Sequence, residues 1–146
     1  MKLYLAGPFF DDEQIDRIQR IEKALDNNPS VSGYFSPRNS NVNDGAEIGS
    51  SQWSKDVFQL DVDEIKKADA VIAIIDFVDD NVDSGTAFEI GYAYAIDKPV
   101  VLFHEKDAIV NLMLSNGSKS YLTKVSDVEK FDFKEMPEYH YEGEVF

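Results

Sequence analysis

The 146-residue sequence contains no cysteine, and that absence removes three kinds of chemistry. It leaves no disulfide framework, no thiolate nucleophile and no zinc–thiolate site. Imidazole is nearly as scarce. His104 and His140 are the two histidines, and the interval between them is not a metal-ligand spacing. Positive charge is short as well. Against 28 acidic residues stand 14 basic ones, for a net charge of −14. That balance repels polyanions and argues against nucleic acid and anionic membranes as partners. No apolar run is long enough for a bilayer span, and the opening MKLYLAGPFF is broken at Gly7-Pro8 too soon for a signal peptide. A cytoplasmic protein is expected. Neither GxxxxGK[ST] nor GxGxxG occurs, so the common phosphate cradles are missing. No metal and no cofactor is expected.

What is present is alternation. KLYLA (Lys2–Ala6) reads as a first strand, and a helix follows over residues 12–26, with Ile15, Ile18, Ala24 and Leu25 at helical spacing and Asn27-Asn28-Pro29 as its stop. VSGYFS (31–36) reads as a second strand. The polar loop PRNSNVNDGAEIGS is too long for a mere connector, and such loops are often functional. Ser50 or Ser51 can cap a helix running through Ala68, with Trp53, Val57, Leu60, Ile65 and Ala68 facing inward. The third strand is residues 70–75 and the fourth Val100–Phe103. A short helix at 108–114, a fifth strand around Tyr121-Leu122 and an aperiodic tail from Phe131 complete the chain. Strands alternating with helices imply a parallel sheet covered on both faces. The expected fold is therefore a flavodoxin-like doubly wound α/β sheet of about five strands, one domain over residues 1–146. Ligands in such folds bind beyond the carboxyl ends of the strands, which singles out residues 6–10, 36–50, 76–83 and 104–111.

The stretch DSGTAFEIGYAYA, residues 83–95, lies there. Ala87, Gly91 and Ala95 recur at four-residue spacing, as do Phe88, Tyr92 and Ile96, and both stripes read as packing faces. Glu89 stands beside them with almost no polar company, and a carboxylate so placed needs a partner or a task. Asp83 reads as an N-cap, with the cleft position as the competing reading. Asp61, in QLDVDEIKKAD on the preceding helix, is a further carboxylate; it and Asp63 are equally readable as solvated helix charges. Paired carboxylates without metal ligands suit chemistry at an anomeric carbon, one as nucleophile and one as proton donor. The turn Gly49-Ser50-Ser51 offers a weak anion site, and no nucleophile elbow supports a Ser-His-Asp triad.

Together, YLAGPFF, SPRN, DVDEIKKAD, DSGTAFEIGYA, NLM and the terminal YEGEVF resemble the nucleoside 2-deoxyribosyltransferases, in order along nearly the whole chain. The D-x-G-x-x-x-E-x-G-Y-A element is the most specific of these. The resemblance implies a cofactor-independent, ping-pong exchange of 2-deoxyribose between deoxynucleosides and free nucleobases, with a role in nucleoside salvage. It implies Glu89 as nucleophile, Asp83 as the base-contacting acid and Tyr4 as the tyrosine that orients the nucleophile. It further implies Asp61 on the sugar hydroxyls, Phe9, Trp53 and Gly7 at the substrate, and Asn111 and Met113 reaching a neighbouring subunit's site in a dimer-based homo-oligomer such as a hexamer. Phe146 stands where some members end in tyrosine, its carboxylate reaching the site. The loop at residues 39–49 aligns poorly, which bears on base preference. Two other readings fit the same fold. One is an N-glycosidase acting on a 2-deoxynucleoside monophosphate, for which Arg38 and the Gly-Ser-Ser turn would cradle the phosphate. The other is a non-catalytic nucleotide-binding module, which leaves Glu89 unexplained.

Overall fold

In the computed structural model, which describes residues 1–42 and 45–146, the short aliphatic runs lie side by side in one sheet. The strands are β1 (Lys2–Ala6), β2 (Gly33–Phe35), β3 (Ala70–Ile74), β4 (Val100–Phe103) and β5 (Ser120–Leu122). All pair in parallel, in the order β2-β1-β3-β4-β5. Parallel neighbours cannot be joined by a hairpin, so helices carry the crossovers. The crossovers are carried by α1 (Asp12–Asn27), α2 (Ser51–Lys67), α3 (Ser84–Ala95) and α4 (Leu112–Asn116), and α5 (Val125–Lys130) follows the last strand. Among the described residues no helix is long and apolar enough to cross a membrane.

Alternation along the strands sends side chains to two separate cores. Leu3, Leu5, Ile72, Ile74, Val101 and Phe103 pack against Ile18, Ile21 and Leu25 of α1 and Val128 of α5. On the other face Tyr4, Ala6, Val71, Ala73, Val100 and Leu102 pack against Ile65 of α2 and Ile90 and Ala93 of α3. The register sets Tyr4 beside both Phe35 and Val71. A polar ring on an otherwise aliphatic strand is thereby fixed beneath α2 and α3, where the carboxylates are.

Several elements differ from the sequence expectation. β2 keeps only Gly33–Phe35, because Val31 closes a turn on the Asn28 carbonyl, Ser32 bonds Met1 instead, and Ser36 is drawn to Glu22. The short helix after β4 starts at Leu112 rather than 108. Asn111 caps it by accepting the Met113 N–H, while Val110 forms a β-bridge with Val145. α5 had no periodic signal, being a single turn and a half, and the tail after it is ordered by Phe131 and Phe133, both in the core. The loop preceding α2 keeps its expected cap, Ser50, which accepts the Trp53 N–H; Asn43 and Asp44 of that loop lie outside the described residues.

Candidate active site

Positions three or four apart on α3 share a face, and this sorts its residues into four sides. Thr86, Ile90 and Ala93 are buried toward the sheet. Ala87, Gly91 and Tyr94 line a cavity of about 640 Å³ shared with α4. Phe88 and Ala95 are exposed, whereas Tyr92 and Ile96 pack against the α3-side core, so each stripe expected to pack does so only in part. Glu89 occupies the remaining side, toward β1 and α2. Its isolation in sequence is resolved across the fold: Tyr4 Oη donates to Glu89 Oε1 at 2.5 Å.

The electrostatics follow from that enclosure. Burial pushes the Glu89 carboxyl up to about 7, Asp61 and Asp83 add repulsion, and the Tyr4 hydrogen bond works the other way. Tyr4 is held well above the ordinary phenol value, first by burial and then by Glu89, with Asp61 and Glu64 contributing, so it stays a donor. Asp61 is pushed up to about 6 by burial. Its Oδ1 is buried with no hydrogen-bond partner among the described residues, an arrangement that costs free energy unless a ligand supplies a donor. Asp83 is the N-cap of α3, and its Oδ2 accepts from both the N–H and the hydroxyl of Thr86.

The other residues singled out in sequence divide into two groups. Gly7 follows β1, and a Cβ there would lie 3.0 Å from the Ile74 Cβ, so a side chain would press on Ile74. Phe9 is half-buried, stacks on Phe10 with ring centres 6.0 Å apart, and packs against the α1-side core. Trp53 is half-buried in the first turn of α2. Gly7 and Phe9 follow β1 and Trp53 opens α2, the two elements that flank Glu89. Asn111, Met113 and Phe146 form the second group. All three line the cavity on the far flank of α3, where Leu112 N–H donates to the Phe146 carbonyl at 3.0 Å. Glu89, Tyr4 and Asp61 are not among that cavity's lining residues. Its walls are mainly apolar, so its size reflects an uncovered apolar surface, while the buried carboxylates Glu89 and Asp61 lie outside it.

Arg38 is committed elsewhere. Its guanidinium pairs with the buried Glu22, which also accepts from Ser36 and Asn39. The SPRN segment is thus an internal clamp between the β2 exit and α1. Residues with no role assigned from sequence also border the site. Phe35 stacks on Tyr4 with ring centres 5.7 Å apart and an interplanar angle of 23°; its signal was strand alternation, legible only once β1 and β2 are paired. Phe58, Phe88 and Tyr92 form a chain of ring contacts across α2 and α3.

Comparison with known proteins is consistent with this geometry. The sequence profile of the nucleoside 2-deoxyribosyltransferase family matches residues 3–133. A nucleoside deoxyribosyltransferase of Limosilactobacillus fermentum is 30% identical over 152 aligned residues, covering 96% of this chain and 86% of that protein. The solved 2-deoxyribosyltransferase of Bacillus psychrosaccharolyticus superposes with a TM-score of 0.86 at 38% identity, over 97% of this chain and 99% of that one. A CMP N-glycosidase of Clostridium botulinum shares the fold at 22% identity, with a TM-score of 0.56 over 92% of this chain and 97% of that one.

Proposed function

This chain belongs to the nucleoside 2-deoxyribosyltransferase family and is an enzyme of that type; from that premise we propose that Glu89 is its nucleophile in a retaining exchange of 2-deoxyribose between nucleobases. The observation that carries the proposal is the Tyr4–Glu89 hydrogen bond on a buried carboxyl. Tyr4 holds Oε1 and so orients Oε2 for attack. A buried carboxylate with one oxygen fixed by a donor has its other oxygen well placed for displacement at carbon.

In the first half-reaction Oε2 attacks the anomeric carbon on the face opposite the base. The C–N bond breaks, its electron pair leaves with the base, and a proton from Asp83 neutralises a ring nitrogen. The product is a deoxyribosyl ester of Glu89. An incoming base then attacks the same carbon, returns its ring proton to Asp83 and displaces the carboxylate, so two inversions restore the β configuration. The unpartnered Asp61 Oδ1 suits a sugar hydroxyl as its missing donor. Phe9 and Trp53 offer flat apolar walls for a base, and Gly7 lets the chain pass close to Ile74 at the strand end. Asn111, Met113 and the Phe146 carboxylate, lying beyond α3 from their own Glu89, are read as serving the site of a second subunit. Nucleoside salvage is the matching physiological role.

The N-glycosidase alternative needs a phosphate cradle. Arg38 is neutralised by Glu22, Ser50 caps α2, and Asp61 presents a carboxylate to the sugar side. Free nucleosides are therefore the favoured donors. The test is trapping. Incubation with a deoxynucleoside alone should give a 2-deoxyribose adduct on Glu89 by mass spectrometry, and Glu89→Ala should lose base exchange while remaining folded. An adduct on another residue, or an active alanine variant, overturns the mechanism.

A further inference from the structure

We infer that Thr86 is a positioning residue for this transfer: it fixes the Asp83 carboxyl so that the one oxygen left free, and the proton it carries, face the leaving base. The inference rests on the reading of Asp83 as the base-contacting acid.

Two donors of Thr86 converge on a single oxygen. Its backbone N–H lies 2.9 Å from Asp83 Oδ2 and its hydroxyl 3.0 Å from the same atom. Capping a helix needs only the first of these. The other long helices illustrate the point. Asp11 caps α1 through the Gln14 N–H alone and Ser50 caps α2 through the Trp53 N–H alone, and neither receives a side-chain donor from that third residue. Gln14 instead turns its amide oxygen back to the Phe10 N–H. The hydroxyl bond at Asp83 is therefore additional to the cap. Thr86 is 1% exposed, so water does not compete for that hydroxyl.

The chemical consequence concerns where a proton can sit. An oxygen that already accepts two hydrogen bonds serves as an acceptor, and a protonated carboxyl then carries its hydrogen on the other oxygen. Oδ1 becomes the donating atom in every turnover. As the C–N bond breaks, the proton passes from Oδ1 to the base; as the next base attacks, that base's ring proton returns to Oδ1. Gly85 makes room for this arrangement, since a Cβ there would stand 3.2 Å from Oδ2. The sequence Asp-Ser-Gly-Thr thus reads as acid, spacer, clearance and clamp. With the hydroxyl removed, Oδ2 keeps one bond, the carboxyl is free to turn, and either oxygen can hold the proton.

The experiment compares four variants in exchange of deoxyinosine with adenine: Thr86→Val, Thr86→Ser, Asp83→Ala and the Asp83→Ala/Thr86→Val pair. Valine has the shape of threonine and retains the backbone cap, so the melting temperature should stay within a few degrees of the parent. A misaligned general acid should lower kcat by about tenfold, with KM changed by less than about twofold. Serine should restore kcat to within about threefold of the parent, and the double variant should be no slower than Asp83→Ala, since residues acting as one unit are non-additive. Wild-type kcat in Thr86→Val, a serine variant as slow as valine, or additive losses in the pair would each overturn the inference. Failure of the underlying reading is separable. Full activity in Asp83→Ala removes Asp83 as the acid, whereas an inactive Asp83→Ala beside a fully active Thr86→Val removes only the role of Thr86.

Discussion

Glu89 costs the folded chain stability, and the sign of that cost can be worked out. Its carboxyl is raised from 4.5 to about 7 by burial, so the folded state binds the proton more tightly than the unfolded state does. Stability is then greatest below the unfolded value, falls as pH rises through the interval between 4.5 and about 7, and stays reduced above it. Glu89→Gln preserves shape and can still accept the Tyr4 hydroxyl, but it does not titrate. The variant is expected to match its parent in thermal unfolding near pH 4 and to exceed it at pH 8 by roughly 1–3 kcal/mol, or about 3–10 °C. A glutamine variant less stable than the parent at both pH values would contradict the burial argument. On the proposal that Glu89 is the nucleophile, it must be ionised to act, which predicts an acid limb in the activity profile. kcat/KM should drop tenfold per pH unit below about 7 on the acid limb. In sequence, Glu89 was legible as a carboxylate in the wrong company. Its partner Tyr4 is 85 positions away, and in the residue-only reading nothing local paired them; the register of β1 against its neighbours does.

At the scale of elements, the parts that could be read were those whose pattern repeats. β1, β3 and β4 are continuous apolar runs, and α1 and α2 show helical spacing, so the parallel sheet and its crossovers followed from the alternation. The parts read with wrong bounds, β2 and α4, or not read at all, α5, are short. β2 has three residues, α4 five and α5 six, too few to show a period, and their limits are set by tertiary hydrogen bonds. Asn28 is one such determinant. It is buried, and its amide donates at 2.8 Å to the carbonyls of both Val128 and Phe131, while its Oδ1 accepts from the backbone and hydroxyl of Ser30. One side chain thereby ties the end of α1 to α5 and the tail. Asn28→Ala strands these groups in a dry interior. The expected loss is about 2–4 kcal/mol, seen as a fall in melting temperature of roughly 5–15 °C. kcat per folded molecule should be unchanged, because Asn28 lies with α1, on the sheet face opposite Tyr4 and Glu89. A loss of kcat without a loss of stability would show that the two faces are coupled.

At the scale of the whole molecule, exposed large apolar side chains gather on both flanks of α3. Phe88 is 49% exposed, Tyr94 63% and Met113 73%, on a chain whose net charge of −14 gives its remaining surface reason to repel copies of itself. Exposed aromatic and methionine side chains gathered around one helix mark a contact surface. On the proposed reading of the site, the division of its residues would give such a contact a function. Tyr4, Asp61 and Glu89 lie on the α2 flank, while Asn111, Met113 and Phe146 line the cavity on the α4 flank. A two-fold interface pairs the same patch on both chains, so each subunit would lend its Asn111 and receive its partner's. Glu89→Ala and Asn111→Ala should each be nearly inactive alone. In a hybrid of the two, the site on the Asn111→Ala chain keeps its own Glu89 and takes an intact Asn111 from the other chain. Random reassociation makes half the dimers hybrids with one complete site of two, so a refolded equal mixture should recover about a quarter of the parent activity. Native mass spectrometry identifies the hybrid, and a hybrid as inactive as its parents would mean that Asn111 acts within its own chain or not at all.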